Sequence, residues 1–404
     1  ANTLAKGFSG IRLEVIETLV EMLNKGVTPV VPSQGSLGSS GDLCPLSHMA
    51  LVLTTDEKDL VSESGFAEFE GQVYTGKIAM EKAGIKRIVL GPKEGLAINN
   101  GATFSAAIGA ISVFDANYLV ELADRAIAMT LEVLLGCSGA FDERIHMARG
   151  QVGQIKSAKK IRESFSGSTL IDSTDSIQDA YSLRCAPQIH GSVRDTLEYV
   201  EKIIEREVNA ATDNPLIFDP GIAISGGNFH GEPVGLAMDF LSIALCELGA
   251  ISERRIFRMT DGKLNSGLPP MLVDSVEQAG LNSGMMMLQY TAASLVLENQ
   301  TLATPDSVHS LPTSAEQEDH NANAMTAARH TDMIIDNIQQ IIGIEIYMAA
   351  RGMDLRKRIQ SGRTGLSTQK LFETIRGKVP YTAGDTYWGP EIEITKEMIK
   401  NQEL

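Results

Sequence analysis

The sequence predicts an all-α protein, a long-helix bundle with a smaller loop-rich region near its N-terminus. Apolar residues recur at three- and four-residue spacing over stretches too long for strands. Val234, Met238, Leu241, Leu245, Leu248 and Ile251 form one stripe, Leu281, Met285, Leu288, Ala292 and Leu295 a second, and Ile335, Ile338, Ile342, Ile346, Ala349 and Met353 a third. These stripes are wider than a coiled-coil seam, so the helices are expected to pack on several sides, including against other subunits. The first hundred residues, by contrast, are punctuated by glycine and proline. The expected division is a loop-rich region over residues 1–104 and a helical bundle with a C-terminal tail over 105–404.

Composition narrows the partners. The 404 residues carry a formal net charge of -16, a field that repels phosphate, so neither nucleic acid nor an anionic membrane surface is an expected partner. Small metabolites and further copies of the chain fit better. Cys44, Cys137, Cys185 and Cys246 are widely separated, suggesting neither a disulfide framework nor a zinc site, and a reducing cytoplasm suits them. No run of eighteen uncharged apolar residues occurs, so no membrane span is expected. The chain opens without a signal-like apolar run or an initiator methionine.

Taken in order, Ile11, Val15, Leu19 and Leu23 signal a helix from Ser9, with Gly26 as its stop. After Pro29 and Pro32 comes Gly35-Ser36-Leu37-Gly38-Ser39-Ser40-Gly41-Asp42-Leu43. Gly41, lacking a Cβ, lets its amide nitrogen approach a nearby carbonyl. Attack on the Ser39 carbonyl with loss of water closes a five-membered ring, and loss of the Ser40 hydroxyl as a second water leaves an exocyclic methylene. The product is an electrophile made from the chain itself. The same residues also read as an ordinary Gly/Ser loop before a helix capped by Asp42 or Ser40.

Asp56 to Gly76 reads as a surface excursion. Asn99-Asn100-Gly101 is a turn opening a small-residue helix from Ala102 to Val113, and Ala116 to Gly136 reads as another buried helix. In Gln178-Asp179-Ala180-Tyr181-Ser182-Leu183-Arg184, Gln178, Tyr181 and Arg184 recur every third residue and can face one cavity. There Arg184 can grip a carboxylate through two parallel hydrogen bonds or, alternatively, pair with Asp179. Thr196 to Ala211 is an amphipathic helix. Gly226-Gly227-Asn228-Phe229-His230 allows close backbone approach with Phe229 as a wall, or is a plain loop before a helix with Pro233 in its first turn. Leu311 to His320 reads as a helix start capped by Thr313 or Ser314. His48, His190, His309 and His330 lack metal-ligand spacing, so no metal site is assigned. The tail, Pro380 to Leu404, reads as a surface or interface segment.

Five of these stretches resemble, in order, motifs of the aromatic amino acid ammonia-lyases: the Ser39-Ser40-Gly41 loop, Asn100-Gly101, the Gln178 to Gln188 run, Gly226 to Pro233, and Ser314 to His320. The resemblance covers essentially the whole chain. Ser39 stands where the family usually has alanine. The Gln317-Glu318-Asp319-His320 form is nearer to the family's histidine-acting enzymes than to the plant phenylalanine enzymes.

The resemblance implies a 4-methylidene-imidazol-5-one group formed autocatalytically from Ser39-Ser40-Gly41, no external cofactor, and elimination of ammonia from L-histidine to give urocanate. Tyr181 and Glu318 join the tripeptide as catalytic residues, Glu318 reaching the imidazole. Asn100 contacts the ring, Arg184 holds the carboxylate, and Gln178 and Phe229 line the pocket. It also implies a homotetramer with each pocket drawn from more than one subunit. The family's tyrosine base and a substrate-binding histidine have no match in these residues. An N-terminal segment that is removed, disordered or a separate chain is therefore expected, with the isolated chain impaired. Other expectations are a tyrosine or phenylalanine ammonia-lyase, an aminomutase, or an inert helical assembly subunit whose loop stays linear.

Overall fold

The computed structural model describes all 404 residues, Ala1–Leu404, and is mostly helical. The chain clusters into two compact units. The first comprises Ala1–Ile111, Val200–Phe240 and Pro305–Thr331; the second comprises Ser112–Tyr199, Leu241–Thr304 and Asp332–Leu404. Each unit draws on three segments, and the segments of the two alternate along the sequence. Backbone hydrogen bonds draw the later segments to the N-terminal loops: the Ile217 amide donates to the Phe8 carbonyl (2.8 Å), Gly231 to Gly38 (2.9 Å) and Asn323 to Leu37 (2.7 Å).

In the first unit the helix predicted from Ser9 spans Leu13–Lys25, and Gly26 closes it in the left-handed region at φ 73°. The excursion over Asp56 to Gly76 contains an antiparallel hairpin, Phe66–Phe69 with Gln72–Thr75, whose first strand also pairs with Thr28–Pro29. Two further small strand pairs join Thr54–Thr55 to Ile88–Val89 and Leu216–Phe218 to Ile222–Ile224. Val15, Met22, Val52, Leu53, Met80, Ile88 and Ile98 belong to one buried apolar core in this unit. Arg12 grips Glu94 at 2.7 Å and holds its carboxyl down at about 2. That pair fixes the start of helix Glu94–Asn99, which delivers Asn100.

The two helices expected over 102–113 and 116–136 are one, Thr103–Val133, because nothing at Phe114 or Asp115 breaks the backbone. The amphipathic helix starts earlier than predicted, spanning Ala186–Val208 with Pro187 in its first turn, where a missing amide costs nothing. Glu232–Thr260 and Ala324–Ile359 carry the first and third predicted stripes, while Met286–Leu302 carries only Leu288, Ala292 and Leu295 of the second, Leu281 lying exposed before it. Thr103–Val133 and Glu232–Thr260 are long and apolar enough to cross a membrane by length and composition, but 50% and 61% of their most apolar windows are buried inside the protein. Both also bury charged side chains, Asp124 and Glu132 in one and Asp239, Glu253 and Arg255 in the other, as core helices do when their charges find partners. The tail is not a surface segment throughout. Gly389–Lys400 is a helix that buries Ile392, Met398 and Ile399.

The second unit contains a buried ionic network. Arg255 and Glu345 are both fully buried, with Nη2 2.7 Å from Oε2, and Glu345 also accepts from Thr130 (2.9 Å) and Ser252 (2.6 Å). Beside it His190 meets Asp124 at 2.7 Å, and Asp124 also binds Arg194 at 2.6 Å.

Glu132 is buried in the same unit, and its Oε2 has no partner, although Oε1 accepts the Gly365 amide at 2.6 Å. Burial pushes its carboxyl up to about 7. A carboxyl raised on folding binds more protons folded than unfolded, so its contribution worsens as pH climbs from about 4.5 to 7. Glu132→Gln keeps the acceptor and removes the charge. Its unfolding free energy should exceed that of the native chain at pH 8, by roughly 1–3 kcal/mol, and match it at pH 4.5, as read by urea titration at the two values.

Candidate active site

Ser39, Ser40 and Gly41 precede helix Leu43–Leu53. Gly41 has φ 79°, and a Cβ there would stand 2.1 Å from the Gly101 carbonyl carbon, so this position excludes any side chain. The two loops are bridged at Gly41 and Gly101, and the Asp42 amide donates to the Gly101 carbonyl at 2.8 Å.

This juxtaposition places two donors on the Ser40 carbonyl, Asn100 Nδ2 at 3.0 Å and the Gly101 amide at 3.2 Å. Asn100 is buried, and its Oδ1 has no partner. Fixed donors on one carbonyl stabilise negative charge arriving at that oxygen, most strongly where water is excluded. In a ring closed from these three residues, the Ser40 carbonyl becomes the ring carbonyl, conjugated with the methylene. The cradle therefore fits the group.

Asp42 does not cap the helix that follows it. Its carboxylate accepts the Ser105 amide at 2.7 Å and hydroxyl at 2.9 Å, capping Thr103–Val133 instead, and accepts from Ser36 Oγ at 2.8 Å. Burial raises its pKa against the pull of those bonds. Burial, then the Asp42 charge, pushes Glu207 up to about 7.

Glu318 is half-buried and accepts from the Ser40 hydroxyl through Oε1 and from Thr313 Oγ1 through Oε2 at 3.0 Å. The helix start expected at Thr313 or Ser314 is not formed. Thr313 and Glu318 exchange backbone hydrogen bonds of 2.9 and 3.3 Å, while Ser314, Ala315 and Glu316 have φ values of 50°, 53° and 66°. Each left-handed residue of this kind costs about 1–3 kcal/mol, so the surroundings impose this turn and thereby aim Glu318. Phe229 is half-buried in the loop that Gly231 ties to Gly38, and Pro233 lies in the first turn of Glu232–Thr260. The rings of His230 and His320 stack with centroids 6.0 Å apart. His320 thus serves as a structural contact of these loops.

The remaining predicted residues belong to the second unit. Tyr181 and Arg184 share the short helix Tyr181–Arg184, with the guanidinium 4.6 Å from the ring centroid, while Gln178 is exposed in the preceding bend. Arg184 does not pair with Asp179, whose carboxylate accepts the Cys137 amide at 2.7 Å; its Nε is buried without a partner. Sequence inspection did not single out Asn321, which accepts from the Ser39 hydroxyl, or Ser36; the position of Asn321 directly after the Glu318-Asp319-His320 run was the only local signal.

A Ser-Ser-Gly tripeptide in a donor-lined cradle within a mostly helical fold defines a carbon–nitrogen lyase of the aromatic type, and the chain belongs to the aromatic amino acid lyase family, whose profile matches residues 1–377. Among its relatives, the histidine ammonia-lyase of Caldanaerobacter subterraneus subsp. tengcongensis is 50% identical over 382 residues, covering 94% of this chain and 72% of that protein. The crystal structure of histidine ammonia-lyase from Trypanosoma cruzi superposes with a TM-score of 0.90 at 37% identity, over 100% of this chain and 74% of its own. Tyrosine aminomutase from Streptomyces globisporus gives a TM-score of 0.91 at 34% identity, over 99% of this chain and 77% of its own.

Proposed function

We propose that this enzyme eliminates ammonia from L-histidine to give urocanate. The observation that carries the chemistry is the pair of donors on the Ser40 carbonyl. Identities of 50% and 48% to two histidine ammonia-lyases, over 94% and 100% of this chain, support the substrate. When formed from Ser39-Ser40-Gly41, 4-methylidene-imidazol-5-one supplies an electrophile that turns the substrate amine into a better leaving group, with no external cofactor.

The side chains do the rest. Asn100 and the Gly101 amide hold the developing charge on the Ser40 oxygen. Arg184 binds the substrate carboxylate with a fork unused inside the chain. Glu318 hydrogen-bonds the imidazole, which orients the side chain and discriminates against phenyl rings that offer no donor. Tyr181 positions the amine, and Gln178 and Phe229 line the pocket.

A homotetramer with pockets shared between subunits belongs to this proposal. The 70% exposure of Tyr181 and 97% exposure of neighbouring Ile177 support it, since both would gain cover from another copy. A cytoplasmic location suits the four free cysteines. The test combines intact mass, expected to fall by two waters, with assays of the full-length protein on histidine, tyrosine and phenylalanine. Turnover of histidine at least about 100-fold above the other two is expected, since a site built to bond a polar ring group strongly disfavours analogues lacking it. Preference for tyrosine with β-amino acid as product would replace this proposal with the aminomutase.

A further inference from the structure

The lyase proposal leaves one side chain of the tripeptide without a task. Ser39 contributes only its backbone carbonyl to ring closure, and alanine usually serves there. Yet Ser39 is 5% exposed, and its hydroxyl donates to Oδ1 of Asn321, which is fully buried. The other hydrogen bonds of Asn321 lie within its own loop. Its amide hydrogen bonds to Ser310 Oγ at 2.9 Å, and its Nδ2 donates to the Leu311 carbonyl. Ser39 thus grips, through one amide group, both ends of the loop that carries Glu318.

A second side-chain link joins the tripeptide to this loop, from the Ser40 hydroxyl to Glu318. It cannot outlast maturation, because that hydroxyl is the group expelled as the second water. The Ser39 hydroxyl, outside the ring, survives. From this asymmetry we infer that Ser39 is a positioning residue, whose hydroxyl takes over through Asn321 the task of holding the Glu318 loop against the ring once Ser40 has been dehydrated. The three left-handed residues at 314–316 favour release of the turn, so the retained link has strain to oppose. With alanine at 39, Oδ1 of Asn321 is left buried and unpaired, a costly arrangement.

This inference rests on the lyase proposal, and the experiment separates the two. Intact mass, hydrogen exchange and histidine kinetics are measured on the full-length native protein and on Ser39→Ala, Ser39→Thr, Asn321→Ala and the Ser39→Ala/Asn321→Ala double variant. The native chain and Ser39→Ala should both be lighter by two waters. Ser39→Ala should exchange amides over 311–321 about 5–10-fold faster and raise KM for histidine by a similar factor, with kcat changed less, the size expected for one hydrogen bond. Asn321→Ala should match it, the double variant should add little to either, and Ser39→Thr should restore native exchange and KM. Unchanged exchange and KM in Ser39→Ala carrying the two-water loss would overturn the positioning role alone. A native chain of unreduced mass would overturn the lyase proposal and the role of Ser39 with it.

Discussion

Ser40→Ala is expected to reduce histidine turnover by at least about three orders of magnitude while leaving the fold intact, because amine departure loses its electrophilic assistance. The first condensation needs only the backbone of residues 39 and 41, so this variant loses one water at most. No methylene can form from alanine. Its far-ultraviolet dichroism and urea midpoint should remain close to native, since the hydroxyl removed is partly exposed and bonds only to Glu318. A native rate in chains whose mass shows no second dehydration would remove Ser40 from the mechanism.

Glu345→Ala should be the most damaging single truncation for stability, at about 3–5 kcal/mol, because it strands Arg255 as a fully buried cation. Thr130 and Ser252 lose their acceptor in the same step. Arg255 already has one unpartnered nitrogen, Nη1, so little spare bonding remains to absorb the loss. Replacing both partners with apolar residues of similar volume should cost far less, as the pair's Coulomb energy largely offsets its own desolvation. Urea titration of the two variants checks this, and equal midpoints would show that the pair, rather than the stranded charge, carries the energy.

Much of this was legible along the chain because it depends on local geometry. Helical stripes such as Ile335 to Met353 repeat with the backbone's own period, and Gly26 stops a helix through its own φ. Errors arose where a local preference met a stronger distant partner. Thr313 and Ser314 look like a helix cap, but a bridge to Glu318 closes the segment as a turn. Asp42 looks like the cap of its own helix, but Ser105 captures its carboxylate. The tail looks like surface, but the core accepts Ile392, Met398 and Ile399.

The sequence by itself determined the helical class, the tripeptide able to condense, and the set of polar residues suited to an amino acid substrate, because composition and spacing state chemical capacity. Only the tertiary structure decided which atoms meet. It brought Asn100 and the Gly101 amide to the Ser40 carbonyl, left Arg184 without a carboxylate, and joined Ser39 to Asn321, 282 positions away. Such pairings depend on where the chain returns, and no local spacing encodes that.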